Sequence, residues 1–129
     1  MIEIVPASDI NIDGIKVLRN ISSRSISEIK EASRNSSPVI SIEEFGGEWE
    51  SQRTKLKEIS DLYFEQDSPI FIIQIREPET DVIQLSPIDF LENLRELRRI
   101  ELETQRLSDL ENGYINRPND FVAHDEDWT

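Results

Sequence analysis

The stretch Ile70-Phe71-Ile72-Ile73-Gln74-Ile75 carries the strongest strand signal in the chain. Its apolar residues occupy consecutive positions instead of alternating with polar ones. This pattern is typical of an interior strand with both faces covered. The turn Asp67-Ser68-Pro69 marks where the strand begins. We therefore expect this segment to lie inside a sheet, with the rest of the fold built around it.

The residues before this strand alternate between short apolar runs and helical patterns. Ser25 and Glu28 have the spacing of a capping box, in which the serine accepts from an early helical N–H and the glutamate reaches back. Glu48 and Glu50 place acids at the positive end of a later helix. The predicted elements are a strand ended by Pro6, helices over 13–20 and 26–34, an extended segment at 39–42, and a helix over about 48–65.

The residues after the strand predict a connecting loop and then a long helix. The loop covers residues 76–86. Ser86 and Pro87 form a strong helix start, and the helix can continue to about Asn112, where Gly113 provides a stop. Its apolar residues change face along its length. They form two groups: Phe90, Leu91, Leu94 and Leu97, then Ile100, Leu107 and Leu110.

This change of face has two interpretations. Either the helix kinks near residues 98–101, or its second half packs on something else, such as a partner subunit. Arg98 and Arg99 lie three or four residues from acids, which favours intrahelical pairing over a nucleic-acid patch. The tail over 114–129 is acidic and has no regular pattern.

Together these patterns predict an α+β fold. We expect a small β-sheet with three helices on one face, in the order β-α-α-β-α-β, followed by a long C-terminal helix and an acidic tail. The chain divides into an α+β domain over 1–76, a connecting loop and long helix over 77–113, and an irregular tail over 114–129.

The composition narrows the class of function. The chain has 27 acidic and 14 basic residues, no cysteine and one histidine, and its net charge is −13. This excess repels nucleic acid and anionic membranes and attracts basic proteins. No apolar stretch approaches a membrane span, the N-terminus does not resemble a signal peptide, and the lack of cysteine fits a reducing cytoplasm. We expect no enzyme activity, no catalytic residue, no metal site and no cofactor.

Two acidic clusters stand beside tryptophans. Aromatic residues inside a charged rim are typical of protein-binding hot spots. We therefore predict a partner-binding site made of Glu43, Glu44, Glu48, Trp49, Glu50, Asp125, Glu126, Asp127 and Trp128. In the alternative interpretation, Trp49 belongs to the core, as its spacing with Leu56 allows, and Trp128 clamps the tail to the domain.

The pair of short helical stretches at 15–21 and 26–32 resembles the C-terminal domain of the bacterial ribosomal stalk protein. The resemblance covers about residues 1–75 and implies a β-α-α-β-α-β order, which an adaptor of the Clp protease shares. In the stalk family, basic residues on the first two helices bind translational GTPases. Lys16, Arg19 and Lys30 occupy the matching positions here, and Ser22-Ser23-Arg24-Ser25 replaces the family's glycine turn.

In size, acidity and lack of cysteine the chain is similar to the immunity proteins of bacterial toxin systems. This similarity implies an inhibitor that neutralises a basic toxin domain, with a nuclease as the expected target, by covering its active surface. One alternative is an adaptor or ribosome-associated factor that binds a GTPase or an ATPase. Another is a scaffold protein that forms a homodimer through the long helix.

Overall fold

The computed structural model describes residues 1–129 and confirms the α+β class. The strands are β1 (Ile2–Pro6), β2 (Ile40–Ile42), β3 (Phe71–Ile75) and β4 (Ile83–Leu85). The helices are α1 (Ile12–Ser22), α2 (Ile26–Asn35), α3 (Trp49–Gln52), α4 (Leu56–Glu65) and α5 (Pro87–Glu111). Short 3-10 turns occupy Arg53–Lys55 and Pro118–Asp120.

Side chains at the helix starts satisfy backbone N–H groups that have no partner within the helix. Ser25 accepts from the N–H of Glu28, and the Glu28 carboxylate accepts from the N–H of Ser25, which confirms the predicted capping box. Ser86 accepts from the N–H of Asp89, and Pro87 is the first residue of α5. Gly113 follows the end of α5 at φ 73°, a conformation that glycine adopts without strain.

The helix expected over 48–65 is interrupted. It consists of α3 and α4 joined by the 3-10 turn at Arg53–Lys55. The turn lies where the side chain of Arg53 reaches inward to the carboxylate of Glu101. The local sequence contains no proline or glycine at this point, so nothing in its pattern indicated the change.

The four strands form one antiparallel sheet in the order β2-β1-β3-β4. The placement of β3 in the interior of the sheet agrees with its apolar sequence. Strand β4 lies within residues 76–86, where we expected a connecting loop, so that part of the prediction was wrong. A strand of three residues with a glutamine in its middle is too short to give an alternating pattern.

The two faces of the sheet differ in chemistry. Ile2 and Ile4 lie on one face, and they join α1, α2, α4 and α5 in a single hydrophobic core. The opposite face carries a row of polar side chains across all four strands: Ser41, Glu3, Gln74 and Gln84. The β3 residues on this face, Ile72 and Gln74, are only partly buried, whereas Phe71 and Ile73 on the core face are fully buried. Gln74 and Arg76 donate to the buried carboxylate of Glu3, at 2.8 and 3.0 Å.

Helix α5 is continuous over 25 residues. Its first half packs Phe90 and Leu94 into the core, and its second half buries Glu101 and Asp109 against the chain's own tail. The helix therefore does not kink, but the second group of apolar residues does not pack on the tail, because Ile100 and Leu107 are exposed. One hydrophobic cluster includes residues from the α+β segment, from α5 and from the tail, where it ends with Trp128.

Candidate functional site

The carboxylate of Glu101 lies at the centre of a buried polar cluster. Its side chain is 6% exposed. The indole Nε1 of Trp49 donates to Oε2, and that of Trp128 donates to Oε1, both at 2.7 Å. Arg98 donates to Oε1 at 2.9 Å, and Arg53 donates to Oε2. Two indoles and two guanidinium groups therefore converge on one carboxylate.

Asp125 brings the tail into the same cluster. Nη1 of Arg98 lies 2.7 Å from Oδ1 of Asp125, and Nη2 of Arg53 lies 2.6 Å from Oδ2. Two arginines thus face two carboxylates, which balances the charge of the cluster. Burial raises the pKa of Asp125, but hydrogen bonds from Arg98, Arg53 and Gln105 outweigh it and hold the pKa at about 2. We name Trp49, Arg53, Arg98, Glu101, Asp125 and Trp128 the tail clamp.

Burial also raises the pKa of Glu101, but four hydrogen bonds reverse its effect. The donors are Trp128, Arg98, Trp49 and Arg53, and the resulting pKa lies below the ordinary value. Both carboxylates of the clamp therefore stay ionised at neutral pH. The clamp holds the tail on the domain, and Nε of Arg98 is buried in it without a hydrogen-bond partner.

The two tryptophans pack against each other inside the protein. Trp49 is 5% exposed and Trp128 is 9% exposed. Their ring centroids lie 5.5 Å apart with the planes at 90°, a favourable edge-to-face arrangement. Neither indole is exposed as an anchor for a partner. The structure thus shows the alternative interpretation, with Trp49 in the core and Trp128 clamping the tail.

The remaining tail acids lie at the surface. Glu126 is exposed. Asp127 accepts from the backbone N–H and the hydroxyl of Thr129, at 3.0 and 2.7 Å, and these bonds lower its pKa. His124 contacts Asp109 on α5, with 2.9 Å between Nε2 and Oδ2. The tail acids are thus divided between the clamp and the surface.

The acids of the loop between β2 and α3 remain at the surface. Glu43, Glu48 and Glu50 are exposed and form no ion pair. Glu44 is paired with the amino group of Met1 at 2.8 Å. The structure therefore separates the predicted site residues into the surface acids of this loop, the tail clamp, and the exposed tail acids Glu126 and Asp127.

Phe45, which sequence reasoning missed, stands in the middle of this loop. Its side chain is 47% exposed, and its ring centroid lies 5.2 Å from that of Trp49. Its backbone has φ 59°, a region that bulky residues rarely adopt. The sequence does show an aromatic residue between two acids and two glycines, a pattern that could have identified Phe45. The prediction considered only the tryptophans as aromatic anchors. We name Glu44, Phe45, Glu48 and Glu50 the Phe45 loop.

An open groove of about 880 Å³ borders this loop. Carboxylates line it from two sides, Glu43 and Glu44 from one loop and Glu77 and Glu79 from the segment between β3 and β4. Ile75 and Leu97 contribute apolar surface. We name this feature the acidic groove. Sequence reasoning missed Glu77 and Glu79 because only the pairing of β3 with β4 fixes the segment that carries them.

Three other observations bear on function. No group of three or more histidine, cysteine, aspartate or glutamate side chains is arranged to hold a metal ion. None of the helices has the length and apolar character required to cross a bilayer. Ile100 and Leu107 are exposed on α5, so the second apolar stripe of this helix lies partly at the surface.

No protein-family model, no curated protein and no solved structure matches the chain.

Proposed function

We propose that the protein is a non-enzymatic, acidic binding module that neutralises a basic protein by covering its functional surface. The expected partner is a toxin domain, with a nuclease as the first candidate, and the protein would act as an immunity-type inhibitor in the cytoplasm. The observation that carries the proposal is the half-exposed Phe45 in a loop that also carries Glu43, Glu48 and Glu50, three exposed carboxylates that form no ion pair within the chain.

The Phe45 loop supplies both components that a binding surface needs. An aromatic side chain provides apolar contact area at a small cost in side-chain entropy, because it has few rotatable bonds. Glu48 and Glu50 lie within five residues of Phe45 and are exposed, so they can meet lysine or arginine residues of a partner. The phenyl ring of Phe45 packs against the buried indole of Trp49, and this contact limits the movement of the ring before binding.

The net charge of −13 adds a long-range effect. A nuclease binds the phosphate backbone with a positively charged surface, and an acidic protein is attracted to that same surface. Complementary charge mainly accelerates association, whereas the buried aromatic contact mainly slows dissociation. Occlusion of the active surface would then inhibit the partner without any chemical step.

The first test is capture from a lysate of the source organism at low and at high salt, followed by identification of the retained proteins. We expect one basic protein in equimolar amount that survives high salt, and whose purified activity falls when the acidic protein is added. Recovery of a GTPase or ATPase would contradict the inhibitor proposal. So would recovery of the protein alone, which would favour a homo-oligomeric scaffold.

The second test uses the purified partner in stopped-flow association. A Glu48→Gln, Glu50→Gln double variant should slow association at low salt, and Phe45→Ala should instead speed dissociation. The matched control is Asp13→Asn, Glu31→Gln, which removes the same charge from α1 and α2. An equal effect of the control and the loop variant would show that only net charge matters.

One observation favours a second candidate function. Lys16, Arg19 and Lys30 are exposed on α1 and α2 and form no ion pair. A basic surface on an acidic protein suits an adaptor that contacts an acidic region of a GTPase or ATPase. In that case a Lys16→Ala, Arg19→Ala variant would lose the captured partner, and the Phe45 loop variants would keep it.

A further inference from the structure

We propose that the C-terminal tail positions the Phe45 loop, and that Trp128 and Asp125 are the positioning residues. This inference rests on the proposed function, because it treats Phe45 as the residue that meets the partner, and it states how that binding site is controlled. While the tail occupies the clamp, the loop is held in one conformation. Release of the tail loosens the loop and weakens the binding of the partner.

The segment between β2 and α4, which carries the Phe45 loop, has few attachments to the rest of the protein. Trp49 is its only buried residue. Glu44 pairs with the amino group of Met1, but this ion pair is partly exposed and stabilises the segment weakly. A segment with so little buried apolar surface opens locally at a small cost in free energy. Its order therefore depends mainly on the clamp contacts of Trp49 and Arg53.

The tail completes both of these contacts. The rings of Trp49 and Trp128 meet edge to face with 5.5 Å between their centroids, and both indoles donate to Glu101 at 2.7 Å. Arg53 donates to Asp125 of the tail at 2.6 Å and also to Glu101. Release of the tail therefore opens one side of Trp49 to water and leaves Arg53 with one carboxylate instead of two.

The packing continues from Trp49 to Phe45. Their ring centroids lie 5.2 Å apart, so the rings of Phe45, Trp49 and Trp128 form one continuous series. Phe45 has φ 59°, a conformation that a bulky residue keeps only where surrounding contacts hold it. The N–H of Gly46 donates to the carbonyl of Glu43, and that of Trp49 donates to the carbonyl of Gly46, both at 3.1 Å. A Trp49 side chain fixed by the tail therefore fixes both the ring and the backbone of Phe45.

The tail can leave the clamp without disturbing the sheet. It adds no strand to the sheet, and no residue between Glu111 and Trp128 is buried. A terminal segment with a single buried side chain can detach while the rest of the chain stays folded. The occupancy of the clamp can therefore change independently of the sheet, and the Phe45 loop responds to it.

The experiment measures hydrogen exchange by NMR in the full-length, ¹⁵N-labelled protein without a partner. It compares the wild type with two variants of the tail. Trp128→Phe removes the indole N–H but keeps an aromatic ring. Asp125→Asn removes the charge that faces the two arginines of the clamp. A well-dispersed spectrum shows that each variant is folded.

The loop amides report the coupling directly. Those of Gly46, Trp49 and Gln52 donate hydrogen bonds within the segment, so they exchange when it opens. We expect their exchange to accelerate about tenfold or more in both variants, because a hydrogen bond to a charged group contributes at least that factor. The amides of Ser23 and Ser37, at the ends of α1 and α2 and outside the clamp, should keep their exchange rates.

Glu126→Gln is the matched control for Asp125→Asn. Glu126 is exposed in the same tail, so this variant removes the same charge outside the clamp. Unchanged loop amides in Trp128→Phe and Asp125→Asn would overturn the inference. So would an equal acceleration in Glu126→Gln, or an equal acceleration at Ser23 and Ser37, which would show a general loosening of the fold.

The captured partner provides a second readout and separates this inference from the proposed function. Trp128→Phe should speed dissociation of the partner, but it should have little further effect in a Phe45→Ala background, where the ring that it positions is absent. Additive effects would contradict the inference. If the loop amides accelerate and no basic partner is captured, the proposed function fails and the coupling stands. If a basic partner is captured and inhibited but the loop amides do not respond, the positioning role fails and the proposed function stands.

Discussion

Replacement of Glu101 by glutamine tests whether the tail clamp stabilises the fold. The change keeps the size of the side chain but removes its charge and replaces one acceptor oxygen with an NH₂ donor. In the wild type, four donors converge on the two carboxylate oxygens, from Trp49, Trp128, Arg98 and Arg53. In the variant, two of these donors face another donor, and two arginines share the single negative charge of Asp125.

The expected loss of stability is large because water cannot reach the groups that Glu101→Gln leaves without a partner. The side chain of Glu101 is 6% exposed, and those of Arg98 and Arg53 are 6% and 11% exposed. Removing one partner of a buried ion pair costs about 3–5 kcal/mol. We therefore expect the free energy of unfolding to fall by about 4 kcal/mol, which shifts the urea midpoint by about 2 M at the m-value typical of a small domain. A domain of this size has a total stability of only about 5–15 kcal/mol.

The assay is urea unfolding followed by circular dichroism at 222 nm, which does not depend on the two tryptophans. The control is Glu96→Gln on the same helix. Glu96 is exposed and pairs only with the exposed Arg99, so its removal should leave the midpoint unchanged. If Glu101→Gln also leaves the midpoint within error of the wild type, the clamp does not stabilise the fold and our reasoning is refuted.

The other predictions concern the tail and the caps of α5. Asp125 has a folded-state pKa of about 2, below its ordinary 3.8. Its ionised carboxylate therefore contributes to the free energy of unfolding above pH 4, and this contribution is lost as the pH falls towards 2. The difference in stability between wild type and Asp125→Asn should therefore shrink over that range in urea titrations, and a constant difference would contradict it. Ser86→Ala should cost about 1 kcal/mol by loss of the N-cap, seen as a lower thermal midpoint, whereas Ser86→Asp should retain most of the stability. In Gly113→Ala the added Cβ meets no atom within 4 Å, so the expected loss of about 1 kcal/mol in the free energy of unfolding comes only from the positive φ of this residue. In the matched variant Gly47→Ala the added Cβ also meets no atom, and Gly47 has no positive φ, so this variant should lose less stability.

The sequence predicted those features of the fold that depend on nearby residues. The capping box at Ser25 and the start of α5 at Ser86 each involve residues three apart, so a local pattern identified them. Strand β3 was recognised from five apolar residues close together. Strand β4 was missed because three residues carry too little pattern, and only pairing with β3 identifies it.

The candidate sites could be predicted only in part, for a related reason. Arg53 and Asp125 are 72 residues apart, and Trp49 and Glu101 are 52 apart, so no window of sequence shows that they meet. The acids around Trp49 do lie in an exposed loop. Trp49 itself is buried, because it packs against Trp128 of the tail, and no local pattern shows this contact.

The position of β1 in the chain has a consequence for folding during synthesis. This apolar strand lies inside the sheet, yet it is made before both of its neighbours, and Ile2 pairs with Ile75. At about 5–20 residues per second, a ribosome needs roughly 4–14 s to add the residues between them. Both edges of β1 lack a partner until β2 is made, and the edge that pairs with β3 lacks one throughout the interval, so the nascent chain exposes a segment prone to aggregation. The rate of production of soluble protein should therefore depend on chaperones that bind early, and on the delay before β3 emerges.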